Sequence, residues 1–238
     1  VLQHLVSCLQ PDLALNLHNQ NAYHGISERQ HTSTIAMLAP VADHAKHITP
    51  VRKQAMQLIC AAQKVLGEYI PNHVARFDDT FSPRSFGDNI VSQGVSTILI
   101  ESGTFINDPH RQVARKMNVL TYFTLLDALL HNKYEHYTIE DYFAIPEHQD
   151  DVYVDLKLTD LLIANADHPF TIDITINVDK HGSTNIEHIG DCHTVKGLSL
   201  SGYQLISDYQ DLQPDSAANL IFVSPSGLLI TINELLST

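Results

Sequence analysis

The sequence predicts an α/β fold followed by a smaller β-rich domain, and three features carry that expectation. Two short apolar runs, Leu13 to Leu15 and Ile98 to Ile100, suit strands buried on both faces. Between and after them lie long segments in which apolar residues recur at helical spacing, the alternation expected of a sheet flanked by helices. From about Asp151 the pattern changes to residue-by-residue alternation of apolar and polar groups, which is the signature of half-buried strands. The expected domains are therefore residues 1–148, α/β, and 149–238, β-rich.

In chain order, the first strand is "LALNLHNQ", whose apolar start ends in His18, Asn19 and Gln20. After a loop around His24 to His31, a helix is expected from Thr49. Thr49 can cap it, Pro50 suits its first position, and Met56, Ile59, Ala62, Leu66 and Ile70 mark its apolar face until Pro71 stops it. "GVSTILIESG" is the next strand and meets Glu101 and Gly103 at its end. Asp108 and Pro109 open a second helix, with Val113, Met117, Leu120, Phe123, Leu126 and Leu130 as its apolar face, and a short third helix runs from Thr138 to before Pro146. In the tail, "VYVDLKL" and "TIDITINV" read as strands, and "LIFVSPSGLLITI" as two strands joined by a Ser-Pro-Ser-Gly turn.

Composition bounds the function. The 238 residues are 44% hydrophobic and 17% charged, which suits a packed core, and no apolar run is long enough to span a bilayer, so a soluble chain is expected. With 14 Lys and Arg against 27 Asp and Glu, the net charge of -13 disfavours nucleic acid and anionic membranes as partners. Cys8, Cys60 and Cys192 form no CxxC pattern, and no GxSxG, P-loop or dinucleotide fingerprint occurs. The chain starts Val-Leu-Gln without an initiator Met, which points to an upstream segment; the compartment is left open.

In open α/β sheets, ligands gather beyond the carboxyl ends of the strands, and here two strands end in reactive groups. His18 offers a neutral imidazole for a metal, and Glu101 a carboxylate able to take a proton from metal-bound water. A glutamate on an apolar strand either lines a cavity or sits in a salt bridge at the domain edge.

The ordered blocks "LALNLHNQ", "TSTIAMLAP", "FDDTFSPRSFGDNIVSQGVSTILIESG" and "DPHRQVARKMNVLTYFTLLDALL", over roughly residues 10–132, resemble the later part of the zinc carboxypeptidase-like metallopeptidases (the M14 family). The resemblance implies a mixed sheet flanked by helices, zinc as cofactor, His18 as the third zinc ligand and Glu101 as the catalytic general base and acid. The family's first two ligands come from an HxxE motif, and no HxxE occurs in this chain; the usual tyrosine before the catalytic strand is also without a match, since "FDDTFSPRSF" offers only Phe77 and Phe81. Either the motif lies upstream, or the chain is a rearranged relative that has lost the metal.

The implied activity is hydrolysis of an amide bond in a peptide or amino-acid conjugate. A deacylase of N-acyl amino acids or a cell-wall peptide amidase on the same fold is the enzyme alternative, and a metal-free binding module the other. Asn19 and Gln20 are candidates to orient His18 or touch substrate, or else to cap the loop; Arg84, Asp88 and Asn89 are candidates to line the pocket, or else to serve a polar loop. His44 and His47, three apart, lack further ligands nearby; His24 and His31 either enter the cleft or stay in an exposed loop; His188, Asp191 and His193 read as a solvated surface. The oligomeric state is left open.

Overall fold

The computed structural model describes residues 1–26, 29–106, 108, 110–150, 152–178, 183–192, 194–213 and 220–236. It is an α/β chain that divides into two compact units, residues 1–150 and 151–238. The anticipated boundary after residue 148 falls inside a strand, because His148–Gln149 pairs with Gly25–Ile26 and so belongs to the first unit.

The first unit contains, in order, α1 (Leu2–Leu9), β1 (Leu13–Asn19), β2 (Gly25–Ile26), β3 (Arg29–Thr32), β4 (Ile35–Leu38), α2 (Pro50–Tyr69), β5 (Val74–Arg76), α3 (Phe86–Val91), β6 (Ser96–Ser102), α4 (Gln112–Leu130), α5 (Ile139–Phe143) and β7 (His148–Gln149). Its main sheet has the order β1-β6-β4-β5 and is mixed: β1 runs parallel to β6 and β4 to β5, while β4 and β6 are antiparallel. A small sheet, β3-β2-β7, completes the unit.

Strand alternation sorts the side chains onto two faces. Ile35, Met37, Ile98 and Ile100, with Leu13 and Leu15, pack against α2, α4 and α5 through Met56, Ile59, Leu66, Met117, Leu125 and Tyr142. On the other face Ala14 meets Val6 of α1 and Ile90 of α3, while Ala36, Ala75, Ile26 and Phe77 form a separate cluster. The β6 strand is central, paired with β1 and β4, and it is buried over most of its length, with Leu99, Glu101 and Ser102 half-buried toward its end. The β1 strand does not meet the expectation of burial on both faces: it pairs only with β6, and its burial falls away toward Leu17, His18 and Asn19.

Local chemistry sets the helices. Thr49 caps α2 by accepting the backbone N–H of Arg52, Pro50 occupies the first turn, and the helix stops at Ile70 before Pro71. Thr138 caps α5 in a capping box with Asp141. The second long helix begins later than expected, at Gln112, although Asp108 does serve it, accepting the backbone N–H groups of Gln112 and Val113; Pro109 lies outside the described residues. Its buried side also differs: Ala114, Met117, Thr121, Leu125 and Ala128 face the core, whereas Phe123, Leu126 and Leu130 are exposed. With apolar residues around most of α4, periodicity alone could not choose the face.

The second unit contains β8 (Tyr153–Ile163), β9 (Phe170–Val178), β10 (Thr184–Ile189), β11 (Lys196–Ser201), β12 (Gln204–Leu205), β13 (Ile221–Val223), β14 (Leu229–Thr231) and α6 (Ile232–Leu235). Its sheet runs β10-β9-β8-β12-β13-β14, with β11 paired to β8. In β8 a bulge at Asp160, where φ is +52°, shifts the register so that Leu156 and Leu158 before it, and Leu161 and Ile163 after it, all reach one core with Ile174, Ile176 and Phe222. The Ser-Pro-Ser-Gly turn joins β13 and β14, with Gly227 at φ +84°. Among the described residues no helix is long and apolar enough to cross a membrane.

Candidate functional site

In the β1 and β6 ladder, Asn16 is opposite Leu99 and His18 opposite Glu101. Residues two apart on a strand share a face, so these four side chains enter one space, a cavity of about 430 Å³ whose lining includes Asn16, His18, Leu99 and Glu101. The cavity lies on the sheet face opposite α2 and α4, and the loop from Phe77 to Ser85 and the first turn of α3 close its far side.

Within it, His18 Nε2 is 2.9 Å from Asn16 Oδ1. The amide oxygen can only accept, so Nε2 carries the proton and the lone pair is left on Nδ1, the tautomer a metal or proton donor would meet. Burial pushes the Glu101 carboxyl above its ordinary range, and the neighbouring His18 draws it partly back. Asp88, also in the lining and buried, is likewise pushed up by burial, against the backbone N–H of Ser82 that donates to its Oδ2 at 2.6 Å. Arg84 stands exposed in the same lining, so the cavity offers one cation at its mouth.

The wall opposite the sheet is anchored by a buried ion pair. Arg52 of α2 donates to the carbonyls of Ala39 and Lys46 and to Asp79 Oδ2 at 2.8 Å, and Lys46 also pairs with Asp79. Asp79 is thus held between two cations, and it fixes the chain on either side, including the cavity residues Phe77, Asp78 and Thr80. Sequence reasoning did not find this role for Arg52; a lone Arg on an amphipathic helix carries no signal of its own.

Asn19 and Gln20 are not in this cavity. Asn19 points to the other face of β1, where its Oδ1 accepts a hydrogen bond from Arg111. Gln20 is buried and donates to the Ser33 carbonyl, tying the end of β1 to the chain before β4. These bonds join strand ends, the structural alternative to orienting His18 or touching substrate. Asn89, in α3, donates to the carbonyls of Pro83 and Ser85 just before that helix.

The other histidines separate clearly. His44 packs on Phe81 and His47 pairs with Asp43, so the two share no ligand set. His31 packs against His73 away from the cavity. His188 is exposed, and His193 lies outside the described residues. His24 instead joins His148 and Asp150, the trio of the described residues whose ligand atoms stand close enough to share a metal ion; His18 belongs to no such trio. The signal for it was readable in part, since His148 and Asp150 stand two apart in the sequence.

Comparison with protein-family models, with curated proteins and with solved structures finds no match to this chain. The functional reading therefore rests on the site itself. The cavity brings together an oriented imidazole, the half-buried Glu101 carboxyl, the Asp78 and Asp88 carboxylates and one guanidinium, Arg84, in its lining.

Proposed function

We propose that this chain forms part of a zinc-dependent, carboxypeptidase-like hydrolase acting on an amide bond of a peptide or amino-acid conjugate. The single observation that supports the reading is the pairing of His18 with Glu101 in the same cavity, at the carboxyl ends of adjacent parallel strands. Catalytic zinc takes three protein ligands. His18 Nδ1 would fill one position, and among the described residues no trio that could hold a metal includes His18.

When bound, zinc would supply Lewis acidity toward the scissile carbonyl. The residues of this chain do the rest: Asn16 holds His18 in one tautomer, Glu101 accepts the proton of the attacking water and delivers it to the leaving amine, and Arg84 attracts a substrate carboxylate. Burial of Glu101 suits it to that exchange, because a raised carboxyl is a stronger base toward water than a solvated one and keeps the proton until the leaving amine takes it.

The test is zinc content and amide hydrolysis of the purified native protein beside His18→Ala and Glu101→Gln, using blocked peptides and N-acyl amino acids. Loss of about one zinc in His18→Ala, with activity but not zinc lost in Glu101→Gln, supports the reading. If His18→Ala binds as much zinc as the native chain, the cavity is a metal-free binding site, the reading that its single described ligand would then favour.

A further inference from the structure

The second candidate for metal chemistry lies where β2 and β7 meet, apart from the His18 pair. The two strands are antiparallel, with Gly25 opposite Gln149 and Ile26 opposite His148. Just beyond the end of this ladder, His24 precedes β2 and Asp150 follows β7, and the Asp150 carboxylate lies against both His24 and His148. Three ligand-bearing side chains therefore converge at one end of a two-stranded ribbon.

Their spacing fits an ion pair and is also close enough for a shared metal ion. Asp150 Oδ1 is 3.0 Å from His24 Nδ1 and 3.6 Å from His148 Nδ1, and the ligand atoms of all three lie within 4.8 Å of one another. Around a tetrahedral zinc with bonds near 2.0–2.2 Å, ligand atoms stand about 3.4 Å apart; the two separations to Asp150 lie on either side of that value, and the two histidines would close on the ion within the 4.8 Å limit. The short approach of His24 to Asp150 is not a directed hydrogen bond: His24 Nδ1 is buried with no hydrogen-bond partner, and so is His148 Nε2. A cation bound at Nδ1 would give His24 the partner it lacks.

The surroundings favour a cation. The His148 side chain is only 4% exposed, packed between His24 and Phe77 with ring centres 4.7 and 4.5 Å away, while Asp150 is 70% exposed and gives access from solvent. Asp78 adds a second negative charge close enough to act on His148.

We propose that His24, His148 and Asp150 bind a zinc ion that clamps β2 to β7. Two imidazoles and a carboxylate match zinc in ligand type and leave a fourth position for water. Two strands of two residues each make a weak ladder, so a crosslink there has a definite structural task. Phe77, which stacks on His148, also lines the His18 and Glu101 cavity, so the ion would steady one wall of that cavity without touching its chemistry.

The experiment is zinc titration of the metal-free full chain by calorimetry, with thermal unfolding followed at each zinc concentration, for the native chain and for Asp150→Asn, His24→Gln and His18→Ala. The expected result is binding in the native chain and in His18→Ala, with affinity lowered about tenfold or more in Asp150→Asn and in His24→Gln, and a zinc-induced rise in Tm that these two lose. Asp150 is exposed, so its variant folds and decides the matter even if His24→Gln does not. No zinc binding by the native chain, or binding of equal strength in Asp150→Asn, overturns the proposal. Binding abolished only in His18→Ala also overturns it and assigns the ion to the cavity.

Discussion

His18 stands directly across the β1 and β6 ladder from Glu101, and both side chains enter one cavity. The pairing is parallel, so the two groups sit at the same end of their strands, where the backbone leaves the sheet and a substrate can approach. Everything proposed about catalysis depends on that register, because a slip of one residue would turn His18 to the helix-covered face.

Glu101→Gln tests the carboxyl in two ways. Hydrolysis should fall by about 10²–10⁴ if Glu101 carries the proton. Stability should respond in the opposite sense. Burial raises the folded carboxyl above its unfolded value, so its favourable contribution is full below the unfolded pKa and disappears as pH rises through the folded one. Denaturant unfolding should find Glu101→Gln more stable than the native chain at pH 7 and equal to it at pH 3.5.

Asp79→Asn tests the wall of the cavity. Burial raises Asp79, but hydrogen bonds from Lys46 and Arg52 outweigh it and hold the carboxyl low, so its stabilisation is present above the unfolded pKa and is lost as pH falls through the folded one. The variant leaves Arg52, which is 1% exposed, without its charge partner. A loss of about 3 kcal/mol at pH 7 is expected, shrinking as pH drops below 4, by urea unfolding across that range.

Gly103→Ala should be among the most damaging single changes near the site. A Cβ there would overlap the Ser33 carbonyl oxygen and the Gln20 amide, and Ser33 belongs to backbone that cannot move aside cheaply. A cost of about 3 kcal/mol is expected from overpacking of this kind, read as a drop in the unfolding midpoint. Unchanged stability would mean that the end of β6 sits further from Ser33 than this packing has it.

Leu125→Ala and Leu126→Ala form a direct comparison of adjacent residues. Leu125 is fully buried under the sheet and its truncation should cost about 2–5 kcal/mol, whereas Leu126 is half exposed and should cost under about 1 kcal/mol. Equal costs for the two would show that α4 is rotated about its axis from the orientation described.

Much of the architecture is written in local chemistry. Thr49, Pro50 and Pro71 bound α2 because a cap, a first-turn proline and a chain breaker act within a few residues of themselves. The strand around Ile98 to Glu101 is legible for a related reason, since a run of apolar groups closed by a charge marks a buried strand that emerges from the sheet. The candidate site is partly legible in the same way, through the polar ends of β1 and β6.

What the linear pattern leaves open is every choice made between distant segments. Leu13 to Leu15 read as an interior strand, yet β1 lies on an edge, because the number of neighbours a strand has is set by pairing and not by its own residues. The apolar surround of α4 fits several rotations, and only docking onto β6 and α2 selects Leu125 over Leu126. His24 and His148 are 124 positions apart in number and side by side in space for one reason: the antiparallel pairing of β2 with β7 brings them there. Local propensity acts over a few residues, whereas register, face and the meeting of remote side chains are decided by which surfaces bury one another.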